Sequence, residues 1–545
     1  MTGEGTHGVI GEETHGEVQE VPCDATGTGV DDGTQDGTYE SSREHTREEV
    51  GLKSQVGIRV KPQAEDRAKH QAEDRAKHQA EDRAKPQAEA RAKTLAEAQL
   101  KTQAQTREPY LLECVRLASD GTGVGYIDGL VTFVPGLLQG ETGLVRIEER
   151  KKHFLRGELV KVMKAAAVRQ DPPCPVFHAC GGCQLQHMNY EETLLWKNRW
   201  VQDALARVGK VHVRVEPVLG MDFPWRYRNK VTLHRDKANA SSGGKPTRGN
   251  AAEGTGTQAV LGYYQNRSHT TVAFHDCLLL SERMNSWIRA VSRVIDDFPG
   301  IEDVTLRESD AGEGLFLIKD SRSGKGSTFA VKRAFFPEVG SALATRAGDT
   351  PLRLWGQETL EVSFLGVHFR VSPLAFLQVN YIMAEKLYSL VRQFAGLTGK
   401  EHVWDLYSGV GTLSLIVAGC AHDVYGIEEN PFAVEDARRN ADLNGFKHVQ
   451  FLQGKVEDNL PRLPLRPDVV IMDPPRAGVT AAVIDHILRS RPGKIIYVSC
   501  DPATLARDLS RIVRGEYQVS LVQPVDMFPW TRHVETVTCI VNKNR

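Results

Sequence analysis

The stretch R-P-G-K-I-I-Y-V-S-C-D-P-A-T-L-A-R, residues 491–507, decides the fold of the C-terminal part of the chain. Its apolar run at 495–498 predicts a buried strand, and Pro502 suits the first turn of a following helix. Cys500 is therefore expected between a strand end and a helix N-terminus, where open α/β folds bind ligands. That helix end favours a thiolate, the nucleophilic form of cysteine. A small buried core cysteine is the alternative for this stretch taken alone.

The composition of the chain predicts a soluble protein of several domains. Its 545 residues suffice for about three domains. Residues 1–60 are strongly acidic and the remainder is mildly basic, which is compatible with nucleic acid without requiring it. Four of the nine cysteines have metal-ligand spacing, which favours a reducing compartment. Neither a signal peptide nor a run long enough to span a membrane is recognisable, so we expect a cytoplasmic monomer without membrane contact.

Residues 1–108 are expected to form a disordered acidic head followed by a repeat. The head is rich in Gly, Thr and Glu and has too few apolar residues to offset its ordering entropy. Six tandem octads follow at 61–108, in which pairs such as Glu65 and Lys69 favour helix. Eight residues overshoot two helical turns, so no apolar face persists along the repeat. This pattern predicts a solvated spacer, and a partner-binding segment is the alternative.

Residues 109–165 predict a small β-barrel. Five short β-like runs are separated by Gly, Pro and Asp turns in fewer than sixty residues, a density typical of closed or nearly closed barrels. One side is rich in basic residues and is a candidate RNA contact, although a solvated face of mixed charge explains it equally well. The basic residues are Arg146, Lys151, Lys152, Arg156, Lys161 and Lys164.

Four cysteines in the central segment, 166–365, have the spacing of a metal site. Three lie in C-P-V-F-H-A-C-G-G-C and the fourth in F-H-D-C; they are Cys174, Cys180, Cys183 and Cys277. Soft thiolates on a glycine-containing loop, with one distant thiolate, suit an iron–sulfur cluster or structural zinc. A redox dithiol in C-G-G-C is the alternative.

Two other features of the central segment concern RNA and chain flexibility. W-R-Y-R-N-K at 225–230 interleaves aromatic and basic side chains, a pattern suited to stacking on bases and pairing with phosphates. A core tryptophan beside surface arginines explains that pattern nearly as well. Residues 236–258 are rich in Gly, Ser, Ala and Lys and predict a flexible inserted loop.

The segment 366–545 predicts a Rossmann-like α/β domain. V-W-D-L-Y-S-G-V-G-T-L-S-L at 403–415 is a strand, a glycine turn and a helix start. The full dinucleotide fingerprint is missing, because Ser414 stands at its third glycine. Asp405 at the strand end would repel a pyrophosphate but attract a cationic amine, and Glu428 after the next strand can accept hydrogen bonds from ribose. These features favour S-adenosylmethionine over a nicotinamide dinucleotide. Asp473 and Glu535 add two further carboxylates near predicted strand ends.

From about residue 109 to the end, the chain resembles the RNA (uracil-5-)-methyltransferases of the iron–sulfur branch, which carry an N-terminal TRAM barrel. The resemblance rests on G-x-G-x-G, C-x5-C-x2-C with a late fourth cysteine, F-L-Q-V-N, D-L-Y-S-G-V-G-T, D-P-P-R-A-G, S-C-D-P-A-T and H-V-E-T-V. It implies an RNA-binding barrel and a 4Fe-4S cluster on the four cysteines. It makes Cys500 the nucleophile and Glu535 the general base. The residues that it assigns to the cofactor are Gln378, Tyr407, Thr412, Glu428 and Asp473.

The implied chemistry explains why these two catalytic residues are needed. Uracil C5 is a poor carbon nucleophile, and addition of the Cys500 thiolate at C6 makes C5 enolate-like and reactive. The C5 proton must then leave before the thiolate is expelled, and that step requires a base, Glu535. The target base must also leave its stack to reach the pocket.

The resemblance favours large-subunit ribosomal RNA as the substrate, and transfer RNA is the close alternative. A non-catalytic RNA-binding factor is disfavoured because Cys500 and Glu535 are both present. A small-molecule methyltransferase would have no evident use for the barrel or the four cysteines.

Overall fold

The computed structural model describes most of the chain from residue 108 onward, as one compact unit within Arg107–Arg545. The described residues are 108–236, 260–266, 268–298, 300–320, 333, 339–345, 350–463 and 466–545. The predicted head and octads, apart from Glu108, and the predicted inserted loop, apart from Asp236, lie outside these residues. None of the helices in these ranges is both long and apolar enough to cross a membrane.

A six-stranded sheet opens the described part of the chain. Its strands are β1 (Tyr110–Glu113), β2 (Arg116–Leu117), β3 (Gly123–Ile127), β4 (Leu130–Val134), β5 (Thr142–Arg150) and β6 (Phe154–Lys164). They are ordered β1-β5-β6-β4-β3-β2. The prediction of five strands was one short, because the first run breaks at Cys114: β1 pairs with β5, whereas β2 pairs with β3. Gly125 is needed where the strands approach closely, since a Cβ there would lie 2.4 Å from the Glu113 carbonyl oxygen.

The core of this small sheet is completed by the helix that follows it. Helix α1 (Tyr190–Asp203) begins at Asn189, whose side chain accepts a hydrogen bond from the Glu192 amide. Trp196 and Trp200, one turn apart, share one buried cluster with the apolar residues of the sheet. The helix continues as a π-helix over Ala204–Gly209, so α1 carries the chain from the barrel toward the C-terminal domain.

A second, seven-stranded sheet forms the central part. Its strands are β7 (Lys230–Arg235), β8 (Leu261–Tyr264), β9 (Thr271–Ala273), β10 (Ile301–Glu308), β11 (Gly314–Asp320), β12 (Ser341–Thr345) and β13 (Leu352–Trp355), in the order β13-β12-β11-β10-β7-β8-β9. Helix α2 (Glu282–Val294) covers it with a buried stripe that includes Met284, Trp287 and Val291. That three-to-four-residue spacing is the amphipathic pattern of a helix lying on a sheet.

The C-terminal part is an α/β domain with a mixed seven-stranded sheet. A hairpin, β14 (Leu360–Phe364) and β15 (Val367–Val371), and helix α3 (Tyr381–Ala395) precede it. The other helices are α4 (Thr412–Ala418), α5 (Pro431–Leu443), α6 (Val456–Asn459), α7 (Ala481–Ser490) and α8 (Pro502–Ile512). The strands are β16 (His402–Leu406), β17 (Asp423–Glu428), β18 (Val449–Gln453), β19 (Val469–Met472), β20 (Lys494–Ser499), β21 (Tyr517–Val525) and β22 (Glu535–Asn542).

The strand order of this sheet is β18-β17-β16-β19-β20-β22-β21. The first five strands in that order are parallel, and β22 runs antiparallel to both of its neighbours. The first residue of β22 therefore lies at the edge where the parallel strands end. These observations confirm the prediction of a Rossmann-like C-terminal domain.

Strand β20 is almost entirely apolar because side chains on both of its faces are buried. Ile496 and Val498 belong to one buried cluster, whereas Ile495 and Tyr497 belong to another on the opposite face. Alternate side chains of a strand point to opposite faces, so both faces of this sheet are covered. The predicted buried strand at 495–498 is confirmed, and it brings Cys500 to the carboxyl edge of the sheet.

Candidate active site and cysteine centre

The carboxyl edge of the C-terminal sheet collects most of the predicted site residues. Because the parallel strands end at one edge, the residues that close or follow them lie side by side. Glu535 joins them as the first residue of β22, next to the pairing of Thr536 with Ser499. The residues so assembled are Tyr407, Glu428, Asp473, Cys500 and Glu535.

The thiol of Cys500 has a raised pKa. Burial raises the pKa to about 11, and the nearby carboxylates of Glu535 and Asp473 add to the effect, while Arg476 opposes it. The expectation that the helix N-terminus would favour a thiolate is therefore wrong for the free protein. The side chain of Asp501 caps α8 by accepting hydrogen bonds from the Ala503 and Thr504 amides, at 2.9 Å each, so these donors are already used.

Two acids beside Cys500 titrate near neutrality. Burial raises the pKa of Glu535 to about 8, with a further contribution from Asp473, and Arg476 lowers it. Burial also raises the pKa of Asp473 to about 7, helped by the charge of Asp405. A carboxyl group with such a pKa can both hold and release a proton at neutral pH, which suits a general acid or base.

A cavity of about 450 Å³ opens over Cys500. Its walls come from three parts of the chain: the barrel, the end of α1 with its π-helix, and the C-terminal domain. Two of its arginines share one carboxylate, because Arg116 and Arg207 lie 3.6 and 3.4 Å from Asp203. Four guanidinium groups line it, those of Arg116, Arg207, Arg476 and Arg532. Such a lining attracts phosphates and favours a polyanionic substrate.

The glycine turn after β16 is conformationally demanding. Gly409 and Gly411 have φ of 56° and 81°, and the non-glycine Tyr407 has φ of 67°. A bulky residue in this left-handed region is uncommon and typical of ligand-binding turns. The carboxylate of Glu428 joins the turn to the next strand, since it accepts hydrogen bonds from the Gly409 and Asn430 amides at 3.0 and 2.7 Å.

Three buried polar atoms within the F-L-Q-V-N and D-L-Y-S-G-V-G-T motifs lack partners among the described residues. These atoms are Oε1 of Gln378, Oδ1 of Asp405 and Oγ of Ser408. The other carboxylate oxygen of Asp405 accepts a hydrogen bond from Ser414 at 2.5 Å, so this acid supports the turn rather than standing at an open strand end. A buried oxygen without a partner costs about 1–3 kcal/mol, and a bound polar ligand relieves that cost.

The remaining cofactor candidate, Thr412, opens helix α4 and is buried. Its hydroxyl lies beside Tyr388 of α3, whose pKa is raised by burial and by the charges of Asp473 and Glu535. Sequence reasoning missed Tyr388, because a tyrosine on an apolar helix face gives no signal of a neighbouring site.

The four candidate metal ligands line one cavity of about 250 Å³: Cys174, Cys180, Cys183 and Cys277. None of the four forms a disulfide bond with another described cysteine. Burial raises the pKa of Cys277 to about 11 and raises that of Cys183 as well, with the neighbouring sulfurs adding to both shifts. Four thiolates in such a place need a cationic centre, and soft sulfur donors suit iron or zinc.

The loops of this cysteine centre are held by hydrogen bonds. Asn285 accepts from the Cys277 amide at 2.8 Å and donates to the Cys277 carbonyl at 3.1 Å. Arg226 forms a bidentate ion pair with Asp276 at 2.7 and 2.9 Å. Gly181 is required for contact, since a Cβ there would lie 2.9 Å from the Tyr264 carbonyl oxygen.

The W-R-Y-R-N-K segment has a structural role. Trp225 stacks on Trp530 with ring centroids 4.4 Å apart, and the buried Tyr227 donates to the Pro529 carbonyl at 3.1 Å. Its aromatic rings therefore pack against the C-terminal domain, which favours the core interpretation over base stacking. The barrel's basic side is likewise mixed in charge, since Arg146 and Arg156 pair with Glu158 and Glu149.

A buried ion pair, which sequence reasoning missed, holds the segment that leads to Phe528, a residue lining the cysteine cavity. Lys197 of α1 donates to Asp526 at 2.5 Å and to the Phe528 carbonyl at 3.0 Å, and both charged side chains are fully buried. Tyr190 donates to the other oxygen of Asp526 at 2.7 Å. The position of this lysine inside W-K-N-R-W, between two tryptophans that face the core, could have indicated that its side chain is buried.

Arg476 and His533 line both the cysteine cavity and the cavity over Cys500. Their side chains approach to 3.4 Å. Burial and the charge of Arg476 lower the pKa of His533 to about 4, so the imidazole is neutral at physiological pH. The two sites are thus neighbours across one polar wall.

Three protein families match segments of the chain. The tRNA (Uracil-5-)-methyltransferase family matches residues 465–543, which include Asp473, Cys500 and Glu535. The TRAM domain matches residues 111–160, and the Methyltransferase small domain matches residues 388–491.

Several curated relatives align along nearly their whole length. An uncharacterized RNA methyltransferase of Halalkalibacterium halodurans is 37% identical over 456 residues, which cover 78% of this chain and 96% of the relative. An uncharacterized RNA methyltransferase of Caldanaerobacter subterraneus is 36% identical over 463 residues, covering 79% and 98%.

Among solved structures, the tRNA (uracil-54, C5)-methyltransferase of Pyrococcus abyssi, in complex with S-adenosyl-L-homocysteine, has a similar fold. Its TM-score is 0.62 at 24% sequence identity, and the match covers 79% of this chain and all of that one.

Proposed function

The chain belongs to the TRAM-bearing RNA (uracil-5-)-methyltransferases, which use S-adenosylmethionine, and we propose that it methylates C5 of one uridine in ribosomal RNA. One observation carries the proposal: the Cys500 thiol lies in an arginine-lined cavity, with the carboxyl groups of Glu535 and Asp473 beside it. A nucleophile and a base next to a cationic lining suit covalent chemistry on a base of a polyanion. One chain supplies all of these groups, so we propose a monomer.

Cys500 acts first, by adding to C6 of the flipped uracil. Its raised pKa means that the thiol must lose its proton as the carbon–sulfur bond forms, and a carboxylate beside it can take that proton. Addition moves the electron pair of the C5–C6 double bond toward C5 and O4, which makes C5 nucleophilic. The arginines meanwhile hold the RNA backbone and do not touch the reacting carbon.

Glu535 completes the reaction as the base that removes the C5 proton. Its pKa of about 8 places it near the working pH, where a base is effective. The electrons of the broken C5–H bond re-form the C5–C6 double bond, and the sulfur of Cys500 leaves as a thiolate. Asp473 is the second candidate for this role, because its carboxyl group also titrates near neutrality.

S-adenosylmethionine fits the turn after β16, where it would supply the electrophilic methyl group. Glu428 has lone pairs free for ribose hydroxyls, and the buried Gln378 oxygen has no protein partner among the described residues. Tyr407 at positive φ and Thr412 at the start of α4 frame the same turn. Asp473 closes the list of residues that we propose to contact the cofactor.

The cysteine centre suits a 4Fe-4S cluster better than zinc. Tetrahedral zinc, with sulfur at about 2.3 Å, brings its four sulfurs to about 3.8 Å from one another. Within the described ranges, the cysteine sulfurs do not form such a group even at a limit of 4.8 Å. The wider spacing around a cavity of about 250 Å³ supports a larger inorganic core.

Mapping of 5-methyluridine tests the substrate. Ribosomal and transfer RNA from cells that lack the gene would be digested and analysed by mass spectrometry beside parental RNA. We expect one 5-methyluridine to disappear from large-subunit ribosomal RNA and to return when the wild-type gene, but not its Cys500→Ala variant, is supplied. Loss of the modification from transfer RNA alone would reject ribosomal RNA as the substrate.

A further inference from the structure

Three side chains converge at the amino edge of the C-terminal sheet, opposite the candidate active site. Strand β16 begins at His402 and β17 begins at Asp423, and these two residues are direct partners in the parallel ladder. His422 immediately precedes Asp423. Each of the three residues offers one metal-ligating atom within 4.8 Å of the others, the one such group of three or more in the described part of the chain.

The geometry of this group centres on one carboxylate oxygen. Oδ2 of Asp423 lies 2.8 Å from Nδ1 of His422 and 3.0 Å from Nδ1 of His402. The two imidazole rings lie edge to face, with centroids 5.0 Å apart. A hydrogen bond joins His422 to Asp423.

The ring nitrogen of His402 supplies a second observation. Its Nδ1 atom is shielded from solvent and lies 3.0 Å from Oδ2 of Asp423, the same oxygen that lies 2.8 Å from Nδ1 of His422. Two imidazole nitrogens therefore converge on one carboxylate oxygen. A cation placed among the three groups would be ligated by both imidazoles and the carboxylate together.

We propose that His402, His422 and Asp423 bind a divalent transition-metal ion of the zinc class. Two imidazoles and a carboxylate are a donor set that zinc accepts, with bonds of about 2.0–2.2 Å. In tetrahedral geometry such bonds put the donor atoms about 3.4 Å apart, so small side-chain rotations suffice. The side chain of His422 is 61% exposed, which leaves room for water as the fourth ligand.

The ion would act on stability rather than on methyl transfer. It would fasten the end of the loop between α4 and β17 to the start of β16, because His422 and Asp423 lie where that loop meets β17 and His402 opens β16. Strand β16 has five residues, or roughly 17 Å at about 3.4 Å each, and Tyr407 follows at its other end. The site therefore lies at the opposite edge of the sheet from Cys500, and the inference does not depend on the proposed reaction.

Metal titration of the full-length, cluster-loaded protein tests this proposal. Zinc chloride would be titrated by calorimetry into wild type, His422→Gln, Asp423→Asn and, as a control, His153→Ala. His422→Gln changes an exposed side chain, so its folding is expected to be unaffected. We expect the wild type and His153→Ala to bind one zinc ion that each site variant binds at least about tenfold more weakly. Equal zinc binding by wild type and both site variants would overturn the proposal.

A second readout separates this site from the cysteines. Cobalt bound by thiolates absorbs strongly in the near ultraviolet, whereas cobalt bound by imidazole and carboxylate shows the weaker visible bands alone. We expect the wild-type protein to gain visible bands that His422→Gln lacks, and zinc to raise the thermal midpoint of wild type and His153→Ala but not of His422→Gln. Cobalt spectra with thiolate bands in wild type and His422→Gln alike would assign the bound metal to cysteine and reject the histidine site.

Discussion

Cysteine occurs in two different environments, singly in the cavity over Cys500 and as a group of four in the cysteine centre. Cys500 follows a buried strand of the mixed sheet, where burial and then two carboxyl groups raise the pKa of a single thiol. The four cysteines of the cysteine centre lie on loops that are held by hydrogen bonds, such as those of Asn285 and Arg226. A lone thiol with carboxyl groups beside it suits the nucleophile that we propose, whereas four thiols around one cavity suit the proposed metal centre.

The two regions nonetheless share one wall. Arg476 and His533 line both cavities, and the buried Lys197–Asp526 pair holds the segment between them. Burial raises the pKa of cysteines in both regions, so the neighbouring groups, rather than burial, distinguish the proposed nucleophile from the proposed ligands. Substitutions in one region at a time test whether the cavity over Cys500 and the cysteine centre act independently.

The largest expected effects come from replacing one cysteine of each region with alanine. Cys500→Ala should lower kcat/KM for RNA methylation by at least about 10⁴-fold, because the C6 nucleophile is gone. Its iron and sulfide content should stay at about four each per chain. Cys183→Ala should lose the iron while keeping Cys500 intact. Metal and sulfide analysis after anaerobic purification measures the cluster, and a methyl-transfer assay measures the activity of each variant. Zinc without sulfide in the wild type would contradict the iron–sulfur assignment.

The shared wall should be the next most sensitive feature. Lys197→Met leaves the fully buried Asp526 without its cation, which should cost about 3–5 kcal/mol in the free energy of unfolding. The double variant Lys197→Met/Asp526→Leu removes both charges and should recover much of that loss. Denaturant unfolding measures both values. A double variant no more stable than the single one would show that the pair is not acting through charge.

A smaller effect concerns the thiol of Cys500 itself. Glu535→Gln removes a carboxylate that raises the pKa of Cys500, so that pKa should fall below that of the wild type. Arg476→Gln should move it upward, because the guanidinium lowers it. The rate of iodoacetamide alkylation as a function of pH reports the value. Shifts in the same direction for the two variants would contradict the electrostatic account of this site.

The smallest expected effect is on stability as a function of pH. Glu535 has its pKa raised to about 8 in the folded protein, so folding favours its protonated form. Between the ordinary carboxyl pKa of 4.5 and about 8, the folded protein keeps this proton and the unfolded chain releases it, so the stability of the wild type falls as pH rises across that range and levels off above it. Glu535→Gln should therefore have the higher thermal midpoint at pH 9 and show little advantage at pH 5. Parallel pH profiles for wild type and variant would mean that Glu535 is not buried as a neutral acid.

Much of the fold and of the site was accessible from the sequence. The apolar run at 495–498 and the glycine turn after β16 predicted the Rossmann-like domain, because period and turn residues are local signals. The four cysteines line one cavity as their spacing indicated. The resemblance supplied the roles of Cys500 and Glu535, which remain proposals here.

The features that were missed depend on contacts between distant parts of the chain. The helix N-terminus beside Cys500 predicted a low pKa, yet Asp501 caps that helix, and burial, with Glu535 from another strand, raises the pKa instead. Lys197 and Asp526 lie 329 positions apart, and no local pattern connects them. Pairings of this kind belong to tertiary structure, so periodicity and motif spacing carry no trace of them.

The most direct test of the central claim is to trap the covalent intermediate with Glu535→Gln. This variant keeps Cys500 and can accept the methyl group at C5, but it cannot remove the C5 proton that permits elimination. Incubation with the target RNA and labelled S-adenosylmethionine should yield a denaturant-resistant protein–RNA band that already contains the methyl group. Its absence in the double variant with Cys500→Ala would assign the bond to that sulfur. A Glu535→Gln protein that turns over at the wild-type rate, with no such band, would contradict the account.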